Sequence, residues 1–342
     1  MRALRLTRPG PIETAPLSLI EIETPRPPPG QLLIAVNACA VCRTDLHVVE
    51  GDLPTRRTPI TPGHQIVGVV AAVGDGVDGV DGFSVGQRVG VAWLHRTCGV
   101  CRFCRSSREN LCEQAAFTGW TEDGGFADHC LADARFVYPL PDGFSDRDAA
   151  PLLCAGIIGY RALRLTGIES WTGARVGIYG FGAAGHVAIQ LLRARGAEVF
   201  VCTRDRTKHQ ALAAELGAAW VGDADAAPPV ALDAAVIFAP AGTLVPAALR
   251  ATDRGGVVVL GGIHMSPLPS LPYDLLYGER MLRTVANNTR ADGHAFLAAA
   301  ARVPVRTHTQ VFAMDEANQA LLALKNDAIR GAAVLVVPPA AP

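Results

Sequence analysis

Between residues 174 and 262 two kinds of hydrophobic pattern alternate. RVGIYG (175–180), EVFVC (198–202), DAAVIF (233–238) and GVVVLGG (256–262) are short apolar runs of strand type. AAGHVAIQLLRAR (183–195) and TKHQALAAELG (207–217) carry apolar residues at helical spacing instead. Strands alternating with helices predict a parallel sheet with helices on both faces. The earlier part of the chain reads differently. QLLIAVNAC (31–39) and QIVGVVAAVG (65–74) are β-rich runs among loops punctuated by glycine and proline, and AAVLVV (332–337) adds a β-rich run near the end. No internal repeat is present, and PRPPPG (25–30) is the one biased segment.

The 342-residue length suggests about two domains. Hydrophobic residues at 49% against 18% charged exclude a disordered chain. With 31 basic and 32 acidic residues and no run of one sign, the chain has no electrostatic footprint for nucleic acid or a membrane surface. Lys208 and Lys325 are the only lysines, so any single arginine is weak evidence for a role. The longest uncharged apolar tract, 234–249, contains Pro240 and Pro246 and is too short to span a bilayer. The start lacks the apolar stretch of a secretory signal, so a cytoplasmic protein with reduced thiols is expected.

GFGAAG, Gly180 to Gly185, follows a strand and opens a helix in the G-x-G-x-x-G pattern. Gly180 permits the tight turn, Gly182 lets the backbone approach a pyrophosphate at the helix N-terminus, and Gly185 lets helix and strand pack closely. Within a strand–helix–strand unit this predicts dinucleotide binding. The next strand ends in Cys202-Thr203-Arg204, where an acid would bind a ribose 2′-hydroxyl. A neutral Thr203 and cationic Arg204, with Arg206 and Lys208 nearby, suit a 2′-phosphate and point to NADP(H) ahead of NAD(H), although Asp205 argues the other way.

TCGVCRFCRSSRENLC (97–112) places Cys98, Cys101, Cys104 and Cys112 within sixteen residues. Disulfides, an iron–sulfur cluster or a zinc ion could hold such a run. VCRTDLHVVEGDLP (41–54), TPGHQIVGVVAAVG (61–74), this cysteine run and GFGAAG occur in the order seen in zinc-dependent medium-chain alcohol dehydrogenases. The chain resembles that family over nearly its whole length, most of all its bacterial propanol-preferring members.

The resemblance implies an α/β architecture: a GroES-like, β-rich catalytic domain (1–153 and 289–342) and a doubly wound Rossmann domain (154–288), with the active site in the cleft between them. It assigns Cys98, Cys101, Cys104 and Cys112 to a structural zinc. Four thiolates close a tetrahedral shell, and the position of Cys112, eight residues past Cys104 and before Glu113, departs from a ferredoxin run. It assigns Cys42, His64 and Cys154 to a catalytic zinc with an open fourth position, so two zinc ions per chain are expected. Thr44 would touch the substrate oxygen and pass its proton through the cofactor ribose to His47, and Asp45 would orient the zinc-binding imidazole. Trp93, Leu94 and Trp120 would wall the substrate space, while Gly261 and Ile263 would lie near the nicotinamide. Cys39, Cys130 and Cys202 are left as buried thiols.

Two departures stand out. Gln65 occupies the place of the family glutamate behind the zinc, and Gly331-Ala332 that of a glycine–arginine pair on the pyrophosphate, where Arg330 is the nearest substitute. The implied activity is interconversion of primary alcohols and aldehydes by a homodimer or homotetramer. A zinc-free quinone or enone reductase would have lost the ligand positions. A non-catalytic nucleotide-binding protein would tolerate Gln65 and Ala332.

Overall fold

The computed structural model describes residues 1–77, 82–303 and 305–338. They form two compact units. The first comprises Met1–Cys154, Thr289–Leu297 and the segment from Thr307 onward; the second comprises Ala155–Asn288 and the segment beginning at Ala298.

The first unit is β-rich. Its strands are β1 (Arg2–Leu6), β2 (Leu17–Glu21), β3 (Gln31–Val41), β4 (Gln65–Val73), β5 (Arg88–Val91), β6 (Leu94–Arg96), β7 (Ala116–Phe117), β8 (His129–Asp133) and β9 (Val137–Pro139). Helices α1 (Arg43–Glu50), α2 (Arg102–Arg105) and α3 (Asp146–Ala149) are short. β3 is the organising strand. It is long and largely buried, and it pairs antiparallel with both β4 and β8. Leu32, Ile34, Ile66, Val89 and Phe126 fill the core around it.

The second unit contains α4 (Ala155–Leu165), β10 (Arg175–Tyr179), α5 (Ala183–Ala194), β11 (Glu198–Cys202), α6 (Ala211–Glu215), β12 (Trp220–Gly222), β13 (Leu232–Ile237), α7 (Val245–Ala251), β14 (Thr252–Leu260) and β15 (Met281–Thr284). Its six strands run in the order β12-β11-β10-β13-β14-β15, all pairs parallel. This is the doubly wound order 3-2-1-4-5-6 of a Rossmann fold. Val176, Ile178, Val199, Val201, Val236 and Val259 form the core beneath one face.

After α8 (Arg290–Arg302), β16 (Thr309–Ala313), α9 (Ala317–Lys325) and β17 (Ala332–Val336) complete the first unit's seven-stranded sheet, β17 pairing antiparallel with β3. Among the described residues no helix is long and apolar enough to cross a membrane.

The hydrophobic pattern locates β3, β4, β10, α5, β11, β13, β14 and β17. It singles out none of the short strands around them; β12 and β15, for example, have no buried residue and so carry no apolar run. It also reads 207–217 as one helix. There the chain first makes a wide turn over Arg206–Gln210, with the Gln210 N–H reaching the Asp205 carbonyl at 3.1 Å, before α6 begins. Asp205 is the cause: it stands at φ 58, and its carboxylate caps the N–H groups of Thr207 and Lys208.

Candidate active site and metal centres

β3 and β4 meet antiparallel with Ala40 opposite Gln65. The residue just after β3, Cys42, therefore comes beside the residue just before β4, His64, although 22 residues separate them. Cys42 Sγ lies 3.4 Å from His64 Nε2. Cys154 follows a tight turn over Ala150–Leu153 that packs on β3 and β4. The donor atoms of Cys42, His64 and Cys154 all lie within 4.8 Å of one another.

Local structure holds each donor in place. Cys42 is the N-cap of α1: its sulfur accepts the Thr44 N–H at 3.4 Å, and Asp45 Oδ2 accepts the Cys42 N–H at 2.9 Å. Gly63 sits at φ 95, where an added Cβ would lie 2.4 Å from Phe126, so only glycine seats the next residue, His64. Asp45 Oδ1 takes His64 Nδ1–H at 2.9 Å and the Gly63 N–H at 3.2 Å. The Nε2 atom is thereby turned toward Cys42, as a metal-binding imidazole requires.

A hydrogen bond from Cys154 holds the Cys42 thiol well below its ordinary range, with help from His64 and against the effect of burial. The same bond, then burial, pushes Cys154 up. Burial opposes charge on His64, yet Asp45 and Cys42 raise it to about 10. A set of two sulfurs and one nitrogen on a shared centre fits zinc with one position left over.

Cys98, Cys101, Cys104 and Cys112 form a second cluster within the same limit of 4.8 Å. Sulfur separations of 3.9 Å (Cys98–Cys104), 3.5 Å (Cys101–Cys104) and 3.6 Å (Cys98–Cys112) are far beyond a disulfide. They match the ~3.8 Å edge of a tetrahedron with ~2.3 Å metal–sulfur bonds. The backbone N–H groups of Val100 and Cys101 draw the Cys98 thiol down to about 6.

Thr44 and His47 lie on α1, each 9% exposed. Gln65 is buried at the head of β4. Trp93 presents its ring edge-on to His64 at 4.9 Å between centroids, and Trp120 stacks on Trp93 at 5.8 Å. Leu94, fully buried in β6, pairs with Phe117 of β7. Phe117 is a residue the sequence pattern misses. It stacks on Trp93 at 5.2 Å and contacts Trp120, but a lone phenylalanine in a two-residue strand leaves no periodic signal. Cys39, Cys130 and Cys202 are buried thiols outside any disulfide.

In the second unit the glycine motif sits at the carboxyl end of β10. Gly180 stands at φ 87, where a Cβ would press on Ala239, and a Cβ on Gly185 would lie 3.0 Å from the Gly180 carbonyl oxygen. A Cβ on Gly182 would meet nothing within 4 Å, and α5 begins there without a side-chain cap. This open cradle of uncapped N–H groups fits a pyrophosphate. Thr203 follows β11, and its hydroxyl accepts the Phe181 N–H at 3.2 Å. Arg204 beside it is exposed and makes no ion pair or side-chain hydrogen bond among the described residues. Gly261 follows β14, and Ile263 is 47% exposed.

Residues 28–142 match the family described as alcohol dehydrogenase GroES-like domain, and residues 183–302 the family described as zinc-binding dehydrogenase. A probable alcohol dehydrogenase of Mycobacterium tuberculosis (strain CDC 1551 / Oshkosh) is 49% identical over 340 residues, covering 98% of this chain and 97% of the relative. An alcohol dehydrogenase of Geobacillus stearothermophilus is 36% identical over 332 residues, covering 94% and 96%. A solved structure of a cinnamyl alcohol dehydrogenase from Sorghum bicolor superposes with a TM-score of 0.88 at 28% identity, covering 98% of this chain and 97% of that one. A GroES-like sheet, a six-stranded parallel sheet with its glycine cradle and near full-length identity to these relatives lead to one conclusion: the chain belongs to the zinc-dependent medium-chain alcohol dehydrogenases.

Proposed function

We propose that the protein interconverts primary alcohols and aldehydes with NADP(H) in preference to NAD(H), and that it holds two zinc ions per chain. The observation that carries the reading is the convergence of Cys42, His64 and Cys154, three donors where a closed structural site has four. It favours this reading over a zinc-free reductase, which has no use for that convergence.

A zinc ion held by Cys42, His64 and Cys154 would supply a Lewis acid for the substrate oxygen, and a nicotinamide cofactor on the glycine cradle would supply hydride-transfer chemistry. The remaining work falls to the chain. Asp45 keeps His64 turned toward the metal position, and Thr44 exchanges a proton with the substrate oxygen. His47 carries that proton to or from solvent. Trp93, Phe117 and Trp120 form an aromatic wall that suits an apolar substrate end and limits its bulk. Gln65 brings no charge, so the metal site's negative charge comes from its two thiolates and the Asp45 carboxylate. This leaves no carboxylate at residue 65 to exchange onto the metal.

The NADP(H) preference rests on charge bookkeeping at the end of β11. Asp205 is committed to capping the following turn, and Lys208 lies 3.8 Å from it; Arg206 faces Asp223 at 3.4 Å. Arg204 is left to meet a 2′-phosphate. Arg204→Ala is expected to lower kcat/KM for NADPH at least ~10-fold while changing that for NADH less than ~2-fold. Initial rates of aldehyde reduction with each cofactor test both points. A preference for NADH that survives the substitution would make Arg204 an ordinary surface arginine. Silence with both cofactors, in zinc-loaded protein, would favour a non-catalytic nucleotide-binding protein.

The chain works as a homo-oligomer in this reading, in a reducing cytoplasm that suits nine unpaired thiols. β15 is an edge strand, and Met281, Tyr277 and Tyr273 near it are 47%, 69% and 76% exposed. A second copy paired along that edge would cover them. Met281→Asp is expected to shift the protein toward monomer in sedimentation velocity, and an unchanged sedimentation coefficient would place the interface elsewhere.

A further inference from the structure

The loop that follows α1 grips the outer end of the aromatic wall. Trp120 Nε1 donates to the Pro54 carbonyl at 3.1 Å, and the Arg56 guanidinium carbon lies over the Trp120 ring, 5.6 Å from its centroid. Trp120 in turn stacks on Trp93, and Trp93 meets His64 edge-on. One line of rings therefore runs from the imidazole of the candidate metal centre to an exposed arginine. Beside it, Val48, Leu53 and Ile60 line a cleft that Arg56 and Trp120 complete.

The charges around this loop are unevenly spent. Arg57 meets Asp123 at 3.0 Å and Glu122 at 3.7 Å. The same two acids also take Arg5 at 2.6 Å and Arg96 at 3.5 Å. Asp52 faces His47 at 2.8 Å. Arg56 makes no ion pair and no side-chain hydrogen bond among the described residues. Arg5, Arg57 and Arg96 thus share two carboxylates, and Arg56 stands beside them with none. A guanidinium over a ring is held by the ring's π electrons and keeps its N–H edge for other partners. That edge is a fork that fits a carboxylate with two parallel hydrogen bonds.

We propose that Arg56 is a specificity-determining residue: it receives a carboxylate at the end of the substrate remote from the reacting carbon. The inference rests on the reading that Cys42, His64 and Cys154 hold the catalytic metal and that Trp93 and Trp120 wall the substrate space. The wall is apolar along its length and cationic at its outer end. The substrate class that matches it is an aldehyde or alcohol with an aromatic or extended apolar body and a terminal carboxylate. The apolar part that the rings favour is then the body of the substrate, with charge beyond it. A short neutral aldehyde reaches only the inner rings and gains nothing from Arg56.

The test compares zinc-loaded wild type with Arg56→Ala and Arg56→Glu. The substrates are para-carboxybenzaldehyde and the longer para-formylcinnamate, each beside its methyl ester, which keeps the shape and removes the charge. Propanal serves as the short neutral reference. Steady-state kcat/KM for aldehyde reduction is read at low and at high salt. Wild type is expected to favour at least one acid over its ester by at least ~5-fold at low salt, and by less at high salt. R56A should lower kcat/KM for that acid at least ~5-fold, mainly through KM, and change its ester and propanal less than ~2-fold. R56E should turn the preference into discrimination against the acid.

Turnover of the esters or propanal with no advantage for either acid overturns this inference alone. So does an acid preference that survives in R56A or R56E. An equal loss on acid, ester and propanal in R56A does the same, and makes Arg56 a support for Trp120. Failure of wild type to reduce any of these aldehydes overturns the proposed function and this inference with it.

Discussion

Cys42→Ser is expected to lower kcat/KM for primary alcohols at least ~10³-fold, about 4 kcal/mol of transition-state stabilisation. The bound zinc should fall from about two ions per chain to about one. The substitution is chosen because Cys42 has two duties and serine can perform one of them. As N-cap of α1 its side chain accepts the Thr44 N–H, and a serine oxygen is a preferred acceptor at that position. The helix should therefore survive, with a melting temperature within ~3 °C of wild type. As a metal ligand, however, Cys42 is a thiolate favoured by its hydrogen bond from Cys154 and by His64, and a neutral hydroxyl is a poor replacement. His64 and Cys154 alone cannot retain the ion tightly. Elemental analysis, kinetics and thermal melting on the same preparation check all three expectations. Full activity with unchanged zinc content would make Cys42 a capping thiol and sink the ligand assignment.

Cys104→Ser is expected to have the opposite profile. The lobe from 97 to 112 buries little apolar surface: α2 spans four residues with none buried, Val100 is 65% exposed and Leu111 is 39% exposed. Besides the four sulfurs, its main tie is the buried Glu109, which accepts the Arg290 N–H at 3.0 Å. Where so little apolar surface is buried, the metal supplies the folding energy. Removing one sulfur should lower the melting temperature by at least ~5 °C. It should also open the lobe to proteolysis between residues 97 and 112. The Cys42, His64 and Cys154 set is untouched, so kcat of the folded protein at low temperature should stay within ~3-fold of wild type. Loss of turnover with no loss of stability would assign chemistry to this cluster and overturn its structural role.

The two variants separate two sites that composition alone would pool, since both draw on the same nine cysteines. The structural cluster was legible because its four members lie within sixteen residues, where a loop can bring them together without outside help. The glycine cradle was legible for the same reason: strand, turn and helix are consecutive, and Gly180, Gly182 and Gly185 each do a local job. Arg204 and Asp205 were visible as charges, but their division of labour was not. Nothing in a string of letters says that Asp205 bends back to cap Thr207 and Lys208 and leaves Arg204 unpaired.

Asp52 lies only five residues beyond His47, yet no spacing rule marks the 2.8 Å contact between its Oδ2 and His47 Nδ1. Its contact depends on the left-handed turn at Gly51, a backbone angle rather than a spacing. Phe117 is hidden for a different reason: Trp120 reaches it through the turn that follows β7, but Trp93 precedes β6 and approaches it only once β6 and β7 are paired.

By itself, then, the sequence determined whatever depends on near neighbours: strand and helix alternation, the dinucleotide turn and the closed cysteine site. It also carried enough motif order to imply the family. That Cys42, His64 and Cys154 share a centre was implied only by the resemblance; the tertiary structure brings their donor atoms within 4.8 Å of one another. Their closeness is set by the register of β3 on β4 and by the turn packed across both, with Ala40 opposite Gln65. Register is a property of the whole sheet, because a slip of one residue would turn every buried side chain to the wrong face. Contacts fixed in that way are spread over the entire chain, and no short stretch of it contains them.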